Sequence, residues 1–494
     1  MSDEILERRK RLLQQRLREQ QLAPAQATPE RGRRPGEPAP LSSAQQRMWF
    51  LQTVAPEDTT LNVCVGYRLD GPLDSARLRA AFDTIVARHE ILRTTYHAGA
   101  DGDPYQIAHT DLGIAWQQHD LTDLSEEGRG RRLEVLARRE FTRPFDLTSE
   151  SALRVTLART GPAEHVLVLT IHHIGWDDDS WSVFFAELNA AYRGDAPAEI
   201  RSQYVDVSLA ERSADDDADL AYWRARLTPL PERLELPGTL GATAATRNAD
   251  KCVLPLPPEL LDRVTEVARE RSATPFMVLL SAFQALVNRY TAATDFLVAV
   301  PVTDRRGRDA EALIGYFGNT LLLRARIDPA QTFAGLVDAT RDAARGAFAH
   351  QGVGVERVVR EVSSDRIAGS DGLAQLVQLS FSVRGGANGF DLADIGSTEL
   401  PWGSAVAQEP LGLMVVLDDA GARVEATYLV DELDRSVVDQ LLRHYLALLA
   451  GAVGDPGQPV RAIDILGAAD RAEINAASHG PLVDAPATTL VDLV

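Results

Sequence analysis

Read along the chain for apolar and polar positions, the sequence alternates between two periods, one of about 3.6 residues and one of two. "NVCVGYRLDG" alternates as a strand, and "DSARLRAAFDTIVARHEILR" repeats as a helix, with Asp74 or Ser75 placed to cap it. "ALRVTLART" and "EHVLVLTIHH" read as strands, and "SWSVFFAELNAAYRG" reads as a helix stopped by Gly194. After the acidic stretch "ERSADDDADL" the same alternation resumes. "PPELLDRVTEVARERSA" and "TPFMVLLSAFQALVNRYT" predict helices, "DFLVAVPV" predicts a buried strand, and "LIGYFGNTLLLRARI" a loop entering a strand. "ARVEATYLVD" and "RSVVDQLLRHYLALLAGAV" close the pattern as strand and helix. The expectation is two α/β lobes of similar construction.

The ends read differently. Residues 1–20 place Ile5, Leu12, Leu13 and Leu17 among charges at helical spacing, and "LAPAQATPERGRRPGEPAPLS" reads as a linker. Residues 1–40 are therefore expected to be a helix and linker, and residues 467–494, polar and rich in Ala, a second linker into a segment beyond Val494.

A length of 494 residues suggests two or three core-forming units. The net charge of −20 argues against nucleic acid or an anionic membrane as partner, and no apolar run reaches the ~20 residues of a membrane span. Cys64 and Cys252 are the only cysteines, which argues against a disulfide framework and fits a reducing cytoplasm.

The densest chemistry lies in "VLVLTIHHIGWDDDSWSVFFAEL", where an apolar strand ends on His172 and His173 and runs into Asp177, Asp178 and Asp179. Three readings compete. A metal could take His173, Asp177 and His172, but a strand sends adjacent side chains to opposite faces, and carboxylates also suit a helix start. A general base needs one histidine only: His173 facing a cleft, with His172 turned inward. The third reading is a pair of satisfied structural histidines.

"HHIGWDD" resembles the HHxxxDG hallmark of the condensation domains of nonribosomal peptide synthetases, a branch of the chloramphenicol-acetyltransferase-like superfamily. "LSSAQQRMWFLQ" is similar to the first motif of that family, "RHEILRTTY" to the second and "LIGYFGNTLLLR" to the fifth, with Gly318 where the family usually has Val. "FTRPFDL", "YVDVS" and "HQGVGVERV" agree more weakly. Asp178 replaces the hallmark glycine, which puts local geometry and substrate tolerance in question, and "YVDVSLAER" and "SDRIAGSDGLAQL" depart from the fourth and seventh motifs.

The resemblance implies two chloramphenicol-acetyltransferase-like α/β sandwich lobes, residues 41–215 and 216–466, forming a V-shaped pseudo-dimer with a central tunnel. It implies amide formation: an upstream peptidyl carrier protein presents an acyl or peptidyl thioester, a downstream one presents an aminoacyl acceptor, and the first motif looks like the subtype with an L-configured donor. The 4'-phosphopantetheine arms belong to the carriers, so no cofactor or metal is expected on this chain, which is expected to act as a monomer beside an adenylation domain in the same polypeptide.

Among residues, the resemblance implies His173 as base or positioner of the amine, with His172 and Asp177 in the same catalytic motif but of architectural character. It gives Arg305 of "PVTDRRGRD" as the partner of Asp177, with Arg306 and Arg308 as neighbouring options, and places Gly175, Asp178, Ser180 and Asn319 along the tunnel. An epimerization domain and a non-catalytic platform that recruits a modifying enzyme are the alternatives. Heterocyclization domains, which lack both histidines, are disfavoured.

Overall fold

The computed structural model describes residues 36–479 except 101, 197–198, 212–215, 237–246, 306–307, 363–375, 386–391, 401, 403–405 and 419–420. The expected helix over residues 1–20, most of its linker, the seventh-motif stretch up to residue 375 and the tail from residue 480 lie outside the described residues. Residues Ala468–Ser478, read as linker, form a helix.

Two mixed sheets organise the chain. The first has the order Gly396–Glu399, Asn62–Asp70, Glu164–His172, Leu153–Gly161, Ala115–Asp120. Its central strand Glu164–His172 is apolar on both faces because both faces are covered. Leu167, Leu169 and Ile171 enter the core formed with the helices Ser75–Arg88 and Asp178–Arg193, alongside Phe82, Trp181 and Phe184. Val166 and Val168 face the other way, toward Leu136 of the helix Glu126–Phe141. The second sheet has the order Gly318–Arg326, Asp295–Thr303, Leu379–Gly385, Leu411–Asp418, Gly421–Leu429, Ala249–Pro255. The helix Pro275–Thr291 is buried continuously from Met277 to Asn288, and its polar members Ser281, Gln284 and Asn288 are each hydrogen-bonded inside, as burial requires. A small third sheet joins Ala39–Pro40, Pro104–Ala108 and Thr94–Ala98.

The caps follow the sequence. Asp74 accepts from the backbone N–H groups of Ala76 and Arg77, and Gly194 ends its helix at φ 85°.

The two sheets are not separable by one cut between residues 215 and 216. The strand Gly396–Glu399 follows second-sheet chain yet pairs antiparallel with Tyr67–Asp70 of the first, and Ala310, Leu313, Ile314 and Phe317 enter the first core. A Cβ on Gly66 would stand 2.4 Å from the Trp402 ring, so glycine is what lets the crossing segment lie flat on the first sheet.

Candidate functional site

The strand Glu164–His172 ends where a turn, His173–Gly175, begins. Alternation sends the two histidines apart. His172 is fully buried, edge-on to Phe145, and both of its nitrogens are occupied. Nδ1 accepts from the Ile174 N–H (3.1 Å), so Nε2 carries the proton and donates to Gln52 Oε1 (3.1 Å). Burial, with His173 and Arg154 nearby, pushes its pKa down to about 3. His172 is a neutral core histidine that fixes the strand end.

His173 is partly exposed. Its Nδ1 lies 3.0 Å from the Trp176 carbonyl oxygen, which can only accept, so Nδ1 holds the proton and Nε2 keeps its lone pair. Among the described residues Nε2 has no hydrogen-bond partner. Its ring meets Tyr316 edge-to-face, with centroids 5.7 Å apart at 63°. The Tyr316 hydroxyl is pushed up to about 12 by burial and stays neutral.

Asp177 caps the helix Asp178–Arg193. Its Oδ1 accepts from Ser180 N (2.9 Å), Ser180 Oγ (2.7 Å) and Arg305 Nη2 (2.5 Å), and Oδ2 accepts from Phe317 N (3.2 Å). Burial pushes this carboxyl up against the pull of Arg305 and Ser180. Three of the facing groups, two amides and a guanidinium, can only donate, so the carboxylate is the form that fits. The pairing with Arg305 is not bidentate. Nη1 goes instead to the carbonyls of Ala310 (2.9 Å) and Leu313 (2.6 Å), and the guanidinium lies 4.3 Å over the Phe317 ring. Arg306 lies outside the described residues.

Of the residues the resemblance places along a tunnel, Ser180 and Gly175 are buried, Asn319 is half-buried and Asp178 is exposed. Ser180 is fully buried as a junction, with Oγ 3.0 Å from the Gly315 carbonyl and 3.1 Å from the Gly315 N–H, because the carboxylate beside it needs donors. Gly175 is buried, and a Cβ there would meet Ala152, Ile91 and the Tyr96 hydroxyl at 3.4–4.0 Å, ordinary contact distances. Asn319 spends its amide on the carbonyls of Gln351 (2.8 Å) and Val353 (2.9 Å), tying down a neighbouring segment. Asp178 is exposed in the first helical turn, where the macrodipole favours a negative charge.

A shared ion fits this geometry poorly: His172 has no free nitrogen, and Asp177 is saturated with donors. Sequence reasoning missed Gln45 and Gln52, which come from the first motif, seven residues apart on one face of the helix Ser43–Val54. Gln45 Nε2 reaches the Ile174 carbonyl at 3.4 Å, and Gln52 holds His172. It also missed Tyr316 and Tyr204. Tyr204 Oη donates to the Tyr316 carbonyl (2.5 Å) and lies 2.8 Å from Ser42 Oγ.

Comparison with known proteins agrees with this architecture. The family model for the condensation domain matches residues 37–475. One of the proteins that make up linear gramicidin synthase in Brevibacillus parabrevis is 32% identical over 449 residues, covering 88% of this chain but only 9% of that protein, so the chain spans a small part of the relative's length. Among solved structures, the X-domain in its complex with OxyB from teicoplanin biosynthesis superposes with a TM-score of 0.77 at 28% identity, over 90% of this chain and 99% of that one. The first condensation domain of the CDA synthetase shares the fold, with a TM-score of 0.73 at 24% identity over 87% of this chain and 99% of that one. An HH pair divided between a buried and a partly exposed histidine, an aspartate paired with Arg305 128 positions on, and a family match over nearly the whole described chain agree: this chain belongs to the condensation-domain family of nonribosomal peptide synthetases.

Proposed function

We propose that the chain forms an amide between two carrier-bound substrates. The donor is an acyl or peptidyl thioester on an upstream peptidyl carrier protein, and the acceptor is the amine of an aminoacyl thioester on a downstream one. Each hangs on a 4'-phosphopantetheine arm that the carrier supplies, and the chain contributes no cofactor. It works in the cytoplasm, within a polypeptide that continues into an adenylation domain. Likeness of "LSSAQQRMW" to the first motif of the L-donor subtype supports an L-configured donor over an epimerization reaction.

The observation that carries this reading is the state of His173: its proton is held on Nδ1 by the Trp176 carbonyl, and among the described residues nothing claims the lone pair on Nε2. The acceptor nitrogen attacks the thioester carbonyl carbon, the new C–N bond forms, and the C–S bond breaks. The proton lost by the amine passes by way of Nε2 to the departing sulfur, which leaves as the free thiol of the upstream arm. Alignment of two tethered reactants supplies a large share of the rate, and His173 a further factor of about 100 to 10,000.

The test is incubation of the chain with two loaded carrier proteins, with the acceptor-bound product read by mass. His173→Ala is expected to stay folded and to lose roughly 100-fold or more in transfer rate. Wild-type protein that makes no product, or a His173→Ala variant at wild-type rate, overturns the reading. A platform role is the second reading, favoured by likeness to an X-domain held in complex with OxyB. It predicts partner binding without transfer.

A further inference from the structure

We infer that Tyr316 is a positioning residue for His173, and that Gly315 and Gly318 are glycines because they set the Tyr316 ring in place. The inference rests on the proposed role of His173 and names what keeps its imidazole in the productive orientation.

The ring of Tyr316 stands edge-to-face against the His173 imidazole. Two close approaches fix it there. A Cβ on Gly318 would lie 2.7–3.0 Å from Cε2, Cζ and Oη of Tyr316, closer than side chains pack, so the ring lies across the bare backbone of the strand start. A Cβ on Gly315 would lie 2.2 Å from the Tyr204 ring, and that same tyrosine donates to the Tyr316 carbonyl. Residue 316 is thus clamped on both sides by a glycine that receives an aromatic ring.

The clamp is wired to the buried carboxylate. Phe317 N donates to Asp177 Oδ2, Gly315 N donates to Ser180 Oγ, and the Arg305 guanidinium covers the Phe317 ring. The Asp177–Ser180–Arg305 junction therefore holds the segment Gly315–Phe317 at a set distance from the turn that carries His173. Among the described residues His173 is hydrogen-bonded at one ring atom, Nδ1, so rotation about its side-chain torsions is limited by that bond and by the Tyr316 ring. Removing the ring frees the imidazole to turn, break the Nδ1–H to carbonyl bond and populate the other tautomer, in which Nε2 carries a proton and cannot accept one.

The hydroxyl is not needed for this role, and the ring is. Tyr316→Phe is expected to keep the acceptor KM and hold kcat within about twofold of wild type. Tyr316→Ala and Gly318→Val are expected to lower kcat by on the order of tenfold to 100-fold at unchanged acceptor KM. In the double variant Gly318→Val with Tyr316→Ala the valine meets no ring, so kcat is expected to match that of Tyr316→Ala and fall no further. Histidine side-chain nitrogen resonances from 15N-labelled protein, with His173 assigned by loss of its signal in His173→Ala, give a second readout independent of carrier proteins. Wild type should show an unprotonated Nε2, and Tyr316→Ala and Gly318→Val a mixture of tautomers with melting curves that show folded protein. An unchanged tautomer in both variants overturns the inference even where the chain proves inactive in transfer. Wild-type kcat in Tyr316→Ala, while His173→Ala is inactive, overturns it and leaves the role of His173 intact.

Discussion

Arg305 reaches Asp177 at 2.5 Å with one arm of its guanidinium, while the other arm closes the backbone carbonyls of Ala310 and Leu313, the segment that enters the first core. Both side chains are more than nine-tenths buried. The pair is therefore a joint: one end caps the helix after the histidine motif, and the other organises the loop before Gly318.

Breaking the joint strands a buried charge. Asp177→Asn and Arg305→Ala are each expected to cost about 3–5 kcal/mol. Because they share one network, the double variant should lose less than the sum. Denaturant unfolding of the three variants checks this, and additive losses would show that the two residues are stabilised separately.

The neutral His172 makes a pH prediction. Its folded pKa is depressed to about 3, from an ordinary value of 6.5. Between those values the unfolded chain binds the extra proton, so stability is complete above pH 6.5 and falls as pH drops toward 3. Urea midpoints across pH 4–7 should fall more steeply for wild type than for His172→Gln. Equal slopes would mean that His172 does not contribute.

Gln52→Leu removes the acceptor for the His172 Nε2–H group and leaves a buried donor unpaired. A loss of about 1–3 kcal/mol is expected, seen as a lower melting temperature. Unchanged stability would place a solvent path to that nitrogen.

The glycines divide by their surroundings. Gly315→Ala should cost about 1–3 kcal/mol by overpacking against Tyr204, whereas Gly175→Ala, whose Cβ would find contacts no closer than 3.4 Å, should change stability by less than about 1 kcal/mol. Parallel melts of the two variants are the check.

Asp178→Gly should lose only a surface charge at a helix start, worth about 0.3–1 kcal/mol, and transfer should proceed at a rate close to wild type. A large gain in rate would instead mark the aspartate as an obstruction in the cleft.

Local physics was legible in the chain. The short apolar run "VLVLTI", rich in β-branched residues, determined a buried strand, and the side-chain alternation of a strand sent His172 and His173 to opposite sides of it. Asp74, Asp177 and Gly194 announced helix ends because capping depends on neighbours within a few residues. The family motifs added the pairing of Asp177 with Arg305.

Tertiary structure alone decided the rest. Gln52 and His172 are 120 positions apart, and Ser180 and Gly315 are 135 apart, so no periodicity links them. That Ser180 is a buried junction, that Arg305 divides its donors, and that Gly396–Glu399 crosses to the other sheet all follow from which unpaired groups meet when two lobes close. A buried donor or acceptor has to find a partner wherever packing brings one, and that choice is made in space, with no trace in the local pattern.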